Sequence, residues 1–234
     1  MNKHEQLAEW LAKHPGSVGK VVDFDTDTDH LLQLDFTGNN AELTQTDLSD
    51  TERFSEWVSN KLIQNHCRYG IGGYFEHRTI YSRSALFDTG DEPRRLHLGI
   101  DIWAAAGNPV YAPLAGTVHS FRDNNNFGDY GPTIILEHHL DGLVLYTLYG
   151  HLSRESLDNL YEGKPIEINE MLGWFGDANE NGHWPPHLHF QLMFDTEGLK
   201  GDYPGVCRYS EREKYRMNIP NPNLMLRFPK DRII

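Results

Sequence analysis

Residues 187–194 read HLHFQLMF, and this stretch decides the fold. Successive side chains of a β-strand point to opposite faces, so a strand here puts His187 and His189 on one face and sends both imidazoles into one site. A helix would separate them by about 200° around its axis. Working outward toward the N-terminus, short apolar runs recur: Val110-Tyr111-Ala112, Gly116-Thr117-Val118, Thr133-Ile134-Ile135-Leu136, Leu143 to Tyr149, and Leu172-Gly173-Trp174-Phe175. Gly107-Asn108-Pro109, Asn124-Asn125-Asn126, Asp141-Gly142 and Asn181-Gly182 separate them as turns. Many short strands broken by Gly and Asn predict a mainly β domain, an antiparallel sheet that is curled or sandwiched, over residues 69–234.

Residues 1–68 have a different texture and read as an N-terminal α+β extension. Leu7, Trp10 and Leu11 lie at helical spacing within residues 3–13, and His14-Pro15-Gly16 ends that helix. Residues 18–36 read as short strands. Ser49-Asp50-Thr51-Glu52 reads as a capping box opening a second helix with an apolar stripe of Phe54, Trp57, Val58 and Leu62.

The 234 residues carry 21 Lys+Arg against 34 Asp+Glu, a formal charge of −13. Such a balance disfavours a broad polyanion-binding surface, so nucleic acid is not expected as a partner. No stretch approaches the roughly 18 apolar residues of a membrane span. The N-terminal sequence lacks the apolar core of a signal peptide, which gives the expectation of a cytoplasmic protein. Cys67 and Cys207 read as free thiols of a reducing compartment. Asp23, Asp25 and Asp27 match the start of a calcium loop, but Thr28 and Leu34 stand where Gly and Glu are needed. His138 and His139, adjacent on a strand, face opposite sides and do not share an ion.

Three clusters carry chemistry. His97-Leu98-Gly99-Ile100-Asp101 sets an imidazole and a carboxylate four residues apart, on one face of either a strand or a helix. Both groups are good zinc ligands. In Tyr149-Gly150-His151-Leu152 a histidine ends an apolar strand, and His187-Leu188-His189-Phe190 supplies the pair described above. Each cluster alone is weak, but the three together, among glycines and short strands, are specific.

Over residues 76–195 these clusters resemble the lysostaphin-like zinc metalloendopeptidases, with His-x-x-x-Asp early, a lone His between, and His-x-His late. The resemblance includes Pro109-Val110-Tyr111-Ala112-Pro113, Ala115-Gly116-Thr117-Val118 and the strand from Gly131 to His138. Glu76-His77-Arg78-Thr79-Ile80-Tyr81, Gly128-Asp129-Tyr130-Gly131 and Trp184-Pro185-Pro186 resemble more narrowly the peptidase-like middle domain of some fusion proteins, where it lies between a phosphotransferase domain and a class-III aminotransferase. The resemblance implies a duplicated-hybrid-motif type of β-fold and one Zn2+ per chain on His97, Asp101 and His189. It further implies that His151 and His187 are catalytic residues that do not bind the metal. Arg78 and Tyr81, read on a strand ahead of the first ligand, are candidate substrate-binding donors. The implied function is hydrolysis of amide bonds in a peptide or muropeptide substrate.

The chain departs from the family pattern in two places. Asp177 to Pro186 replaces the glycine-rich run before His-x-His, which changes the groove wall and with it the peptide specificity. Asn169 or Glu170 stands where a turn glycine before Leu172 is usual. Two other functions are compatible with parts of the pattern. One is a non-catalytic zinc-binding module for scaffolding or ligand recognition. The other is a sugar-transport phosphocarrier, which shares a related β-fold and a similar His-x-x-x-Asp segment but needs no late His-x-His.

Overall fold

The computed structural model describes residues 1–234, the side chain of Gln45 excepted. Helix α1 (Lys3–Lys13) is followed by β1 (Leu31–Gln33), α2 (Gln45–Ser49), α3 (Thr51–Gln64) and β2 (Tyr69–Gly72). Then come β3 (Leu96–His97), β4 (Ile100–Trp103), β5 (Pro109–Tyr111), β6 (Gly116–Asn124), β7 (Gly131–Leu140) and β8 (Leu143–Gly150). The chain ends with β9 (Pro165–Ile166), β10 (Met171–Trp174), β11 (His187–Met193), β12 (Val206–Cys207), α4 (Arg212–Asn218) and α5 (Asn223–Leu226).

Eight strands form one sheet in the order β1-β2-β4-β11-β8-β7-β6-β9, and β10-β5 and β12-β3 make two small ribbons. Every pairing is antiparallel except β1 with β2. The mainly β, antiparallel architecture expected from the spacing of apolar runs is therefore present. The Asp141-Gly142 turn joins β7 to β8 with φ of +50° and +91°. Positive φ at both central residues is what a two-residue hairpin needs to match the twist of its strands. Asn169, in the position of the usual turn glycine, takes φ +63°, a conformation that Asn adopts more readily than most residues.

One row of register positions the site. Gly72 on β2 pairs with Asp101 on β4, Asp101 pairs with His189 on β11, and His189 pairs with Gly150 on β8. One step along, Gly70, Trp103 and His187 form the adjacent row on the same face. On the opposite face Leu188, Phe190 and Leu192 are fully buried among Ile102, Ile134 and Tyr149. Each such side chain contributes about 1.5–3 kcal/mol through removal from water. That core holds β11 in register, since a slip of one residue would send its apolar set to the site face.

The first 68 residues join this sheet and core. β1 adds its edge strand, and Leu7, Val21, Val22 and Leu31 are buried in the same cluster as Ile102 and Phe190. Of the strands expected over residues 18–36 only Leu31–Gln33 forms; Val21 and Val22 are buried in irregular backbone instead. Helix α1 runs as its apolar spacing predicts, with Asn2 and Glu5 in a capping box. The cap of α3 is Asp50, not Ser49: its carboxylate accepts from the backbone N–H of Glu52 and Arg53, while Ser49 closes α2. Both are good cap residues, and the intervening short helix decides between them.

Candidate metal centre

His97, Asp101 and His189 meet above the central strands. His97 Nε2 lies 2.9 Å from His189 Nδ1, and Asp101 Oδ1 lies 3.1 Å from the first and 3.0 Å from the second. All three residues are buried. Hydrogen bonds on the far side of each ring fix the tautomers. His97 Nδ1 donates to the carbonyl of Gly73 at 2.9 Å, so its Nε2 carries the lone pair. The Gln191 amide donates to the carbonyl of Pro204, which turns Oε1 toward His189 Nε2 at 3.0 Å and leaves the lone pair on Nδ1. Three electron-rich atoms thus converge on one point.

That arrangement fits a zinc ion. Two neutral imidazoles and a carboxylate are a catalytic ligand type, and a tetrahedral ion at its usual bond lengths spaces such atoms by roughly 3.3 Å. Burial works against the Asp101 charge, but the Arg78 guanidinium on its other oxygen helps to hold the carboxyl well below its usual range. Burial, with the Arg78 charge beside it, pushes His97 down to about 3, so its ring is neutral and able to bind metal at neutral pH.

His151 and His187 stand over the same point. Their ring centroids are 4.1 Å apart, and the His187 ring stacks on Trp103 at 3.9 Å. His151 Nδ1 donates to the carbonyl of Asn181 at 2.8 Å, and His187 Nδ1 donates to the carbonyl of Pro185 at 2.7 Å. A carbonyl only accepts, so each neutral ring keeps its lone pair on Nε2. Burial pushes His187 down to about 4 and His151 well below its ordinary value, the second helped by the neighbouring ring. His151 also has φ +63°, a left-handed conformation uncommon outside glycine and the kind of local strain found at functional sites.

Asp101, His189, His151 and His187 border a cavity of about 230 Å³ walled by Trp184, Tyr81, Phe87, Tyr130 and Leu199, while His97 lies behind it. Arg78 and Tyr81 both line it, but neither is on a strand: Ile80–Arg83 is a 3-10 turn. Arg78 is fully buried, with its guanidinium on Asp101 and, at 2.6 Å, on Glu76. Its Nε and Nη1 are thus engaged by Glu76, Asp101 and the Tyr81 hydroxyl, while the buried Nη2 has no hydrogen-bond partner. Of the Asp177–Pro186 segment, Trp184 lines the cavity, and the carbonyls of Asn181 and Pro185 orient the two upper histidines.

Sequence reasoning missed Gln191, Asn181 and Tyr130. Gln191 was within reach, since it continues the alternation of His187 and His189 on one strand face. Asn181 acts through its backbone carbonyl, which no side-chain pattern reveals. Tyr130 packs on His189 and His151 at 5.1 and 5.4 Å in space left by Gly150, where a Cβ would meet its ring.

The sequence model of peptidase family M23 matches residues 95–200. The L-Ala--D-Glu endopeptidase of Bacillus subtilis is 32% identical over 149 residues, covering 59% of this chain and 43% of that protein. The DD-carboxypeptidase/endopeptidase Mpg of Neisseria meningitidis is 33% identical over 103 residues, covering 44% of this chain and 21% of its own. This chain thus spans less than half the length of these relatives. Among solved structures, the catalytic domain of lysostaphin from Staphylococcus simulans aligns with a TM-score of 0.42 at 23% identity, covering 74% of this chain and 98% of that one. The matched segment holds His97, Asp101, His151, His187 and His189, and residues 95–200 are accordingly a domain of peptidase family M23, the lysostaphin-like family that the sequence motifs resemble.

Proposed function

We propose that the protein is a zinc-dependent hydrolase of amide bonds in short peptides of the peptidoglycan type. The observation that carries this reading is the 2.9–3.1 Å triangle of His97 Nε2, His189 Nδ1 and Asp101 Oδ1 beneath two histidines that turn their lone pairs inward. When bound, zinc supplies Lewis acidity toward the scissile carbonyl and the attacking water.

The chain's own residues manage the proton. His151 or His187 accepts it on Nε2 as the water oxygen bonds to the amide carbon. The ring that took the proton becomes an imidazolium, and its buried neighbour 4.1 Å away disfavours a second charge. The pair therefore carries one extra proton at a time. That proton passes to the leaving nitrogen as the C–N bond breaks, which returns both rings to neutrality. Trp103, stacked on His187, and the Asn181 and Pro185 carbonyls hold the rings in place through this cycle.

Two features support a short substrate. The cavity has a volume of about 230 Å³, which suits one or two residues around a scissile bond. The formal charge of −13 opposes approach to an anionic wall polymer. The names of the relatives point to peptidoglycan peptides, and that chemistry is carried over here as part of the proposal.

The test is cleavage of short peptides and soluble muropeptides beside intact sacculi, with the zinc-loaded protein and with protein stripped by a chelator. The proposal expects zinc-dependent release of new amino groups from the small compounds. Release from intact sacculi with none from the small compounds would overturn the short-substrate part, and equal activity of the stripped protein would overturn the zinc part.

A further inference from the structure

Asp101 offers only one of its oxygens to the other two ligands. The other, Oδ2, receives Nη1 of Arg78, while Oδ1 faces His97 and His189. Arg78 is 0% exposed, and several independent features hold it there. Its Nε donates to Glu76 Oε2 at 2.6 Å, so the buried cation has a second counter-charge. Its Nη1 also reaches the hydroxyl of Tyr81 at 3.3 Å. Its guanidinium lies 5.3 Å from the centre of the Phe36 ring. Gly72, which pairs with Asp101 across the sheet, provides the space: a Cβ at that position would collide with Nη2 of Arg78.

A charge buried this completely is costly unless its partners are placed well, and a planar guanidinium directs its donors where a flexible ammonium does not. Burying Arg78 for packing alone would be a poor use of the site, since an apolar side chain would fill the space without the desolvation cost. The placement makes sense if the guanidinium acts on Asp101.

We propose that Arg78 is a positioning residue for the metal centre. It occupies Asp101 Oδ2, so that the carboxylate presents Oδ1 alone, and Glu76 and Gly72 are the parts that hold it there. This rests on the zinc reading above. Removing Arg78 frees Oδ2 to turn toward the ion and leaves Asp101 without an orienting partner. Groups that orient metal ligands commonly change metal affinity by about 10–100-fold.

The experiment uses the full chain, stripped of metal and titrated with zinc against a chromophoric chelator, and separately with cobalt to read the visible absorption of the site. Arg78→Met is expected to weaken zinc at least 10-fold and to change the cobalt band. Arg78→Lys, which restores a charge but not the fork, is expected to recover part of the affinity. Gly72→Ala keeps the arginine but displaces it, and is expected to move the cobalt band in the same sense. The double variant Arg78→Met/Glu76→Gln keeps the buried charges balanced, so it retains a folded reading if Arg78→Met alone does not fold. Folded Arg78→Met, or the folded double variant, with wild-type zinc affinity and an unchanged cobalt spectrum would overturn the proposal. Failure of the wild-type chain to bind zinc or cobalt would instead overturn the metal reading on which it rests.

Discussion

His97 Nε2 and His189 Nδ1 face each other at 2.9 Å, and both nitrogens carry lone pairs because Gly73 and Gln191 hold the protons on the far sides of the two rings. Two lone pairs and a carboxylate oxygen at that distance repel one another in a low-dielectric interior unless a cation sits among them. The protein core keeps them together because their strands are fixed by the apolar face beneath. A cation among them would relieve that repulsion.

The two upper histidines are expected to be separable from the metal. His151→Ala and His187→Ala should each lower hydrolysis by about 10²–10⁴-fold, the usual contribution of a positioned acid–base group. Zinc content should stay at the wild-type level in both, because neither ring belongs to the 2.9–3.1 Å triangle. Turnover equal to wild type in either variant would show that ring to be a bystander.

Gln191 is expected to act through the tautomer of His189. Gln191→Leu removes the acceptor for Nε2–H and frees the ring to place its proton on Nδ1. Zinc affinity should fall by roughly 10-fold, and Gln191→Glu, which keeps an acceptor oxygen, should restore most of it. Competition titration with a chelator reads both, and unchanged affinity in Gln191→Leu would remove this role.

His138 should make the fold acid-sensitive without touching the site. It is fully buried, with its ring nitrogens 2.9 Å from the Ala115 carbonyl and 2.8 Å from the Thr147 hydroxyl. Burial pushes it down from 6.5 to about 4. The folded state therefore binds this proton more weakly than the unfolded chain does. Its contribution is fully present above pH 6.5 and is lost as the pH falls through that window toward 4, at up to about 1.4 kcal/mol per pH unit. In urea unfolding at pH 7 and pH 5, His138→Gln should lose about 2 kcal/mol less than the wild type between the two values. Equal losses would mean that His138 titrates alike in both states.

Much of this was legible in the sequence because the site is made of register. His187 and His189 share a face by the period of a strand, and the His97–Asp101 spacing brings its two groups to the same point although β3 and β4 are separate strands. The helix α1 and the buried face of α3 followed from apolar spacing. What stayed hidden depended on contacts distant in sequence or on the backbone. Arg78 lines the cavity, but its contact with Asp101 depends on the space above Gly72, six residues away and on another element. The extended reading of residues 18–36 failed at Val21 and Val22 because they are buried in irregular backbone, where the bond from the Tyr111 N–H to the Val21 carbonyl does not extend into a ladder. The Asp50 cap was obscured by Ser49, whose helix no apolar periodicity announced.

The central claim is that His97, Asp101 and His189 bind one zinc ion. Its most direct test is the zinc content of purified protein, loaded with the metal and exhaustively dialysed, by elemental analysis beside Asp101→Ala and His189→Ala. The expected result is about one zinc per wild-type chain, since three such ligands make a catalytic zinc site with its fourth position open, and little or none in either folded variant. Full zinc occupancy in both variants would contradict the assignment.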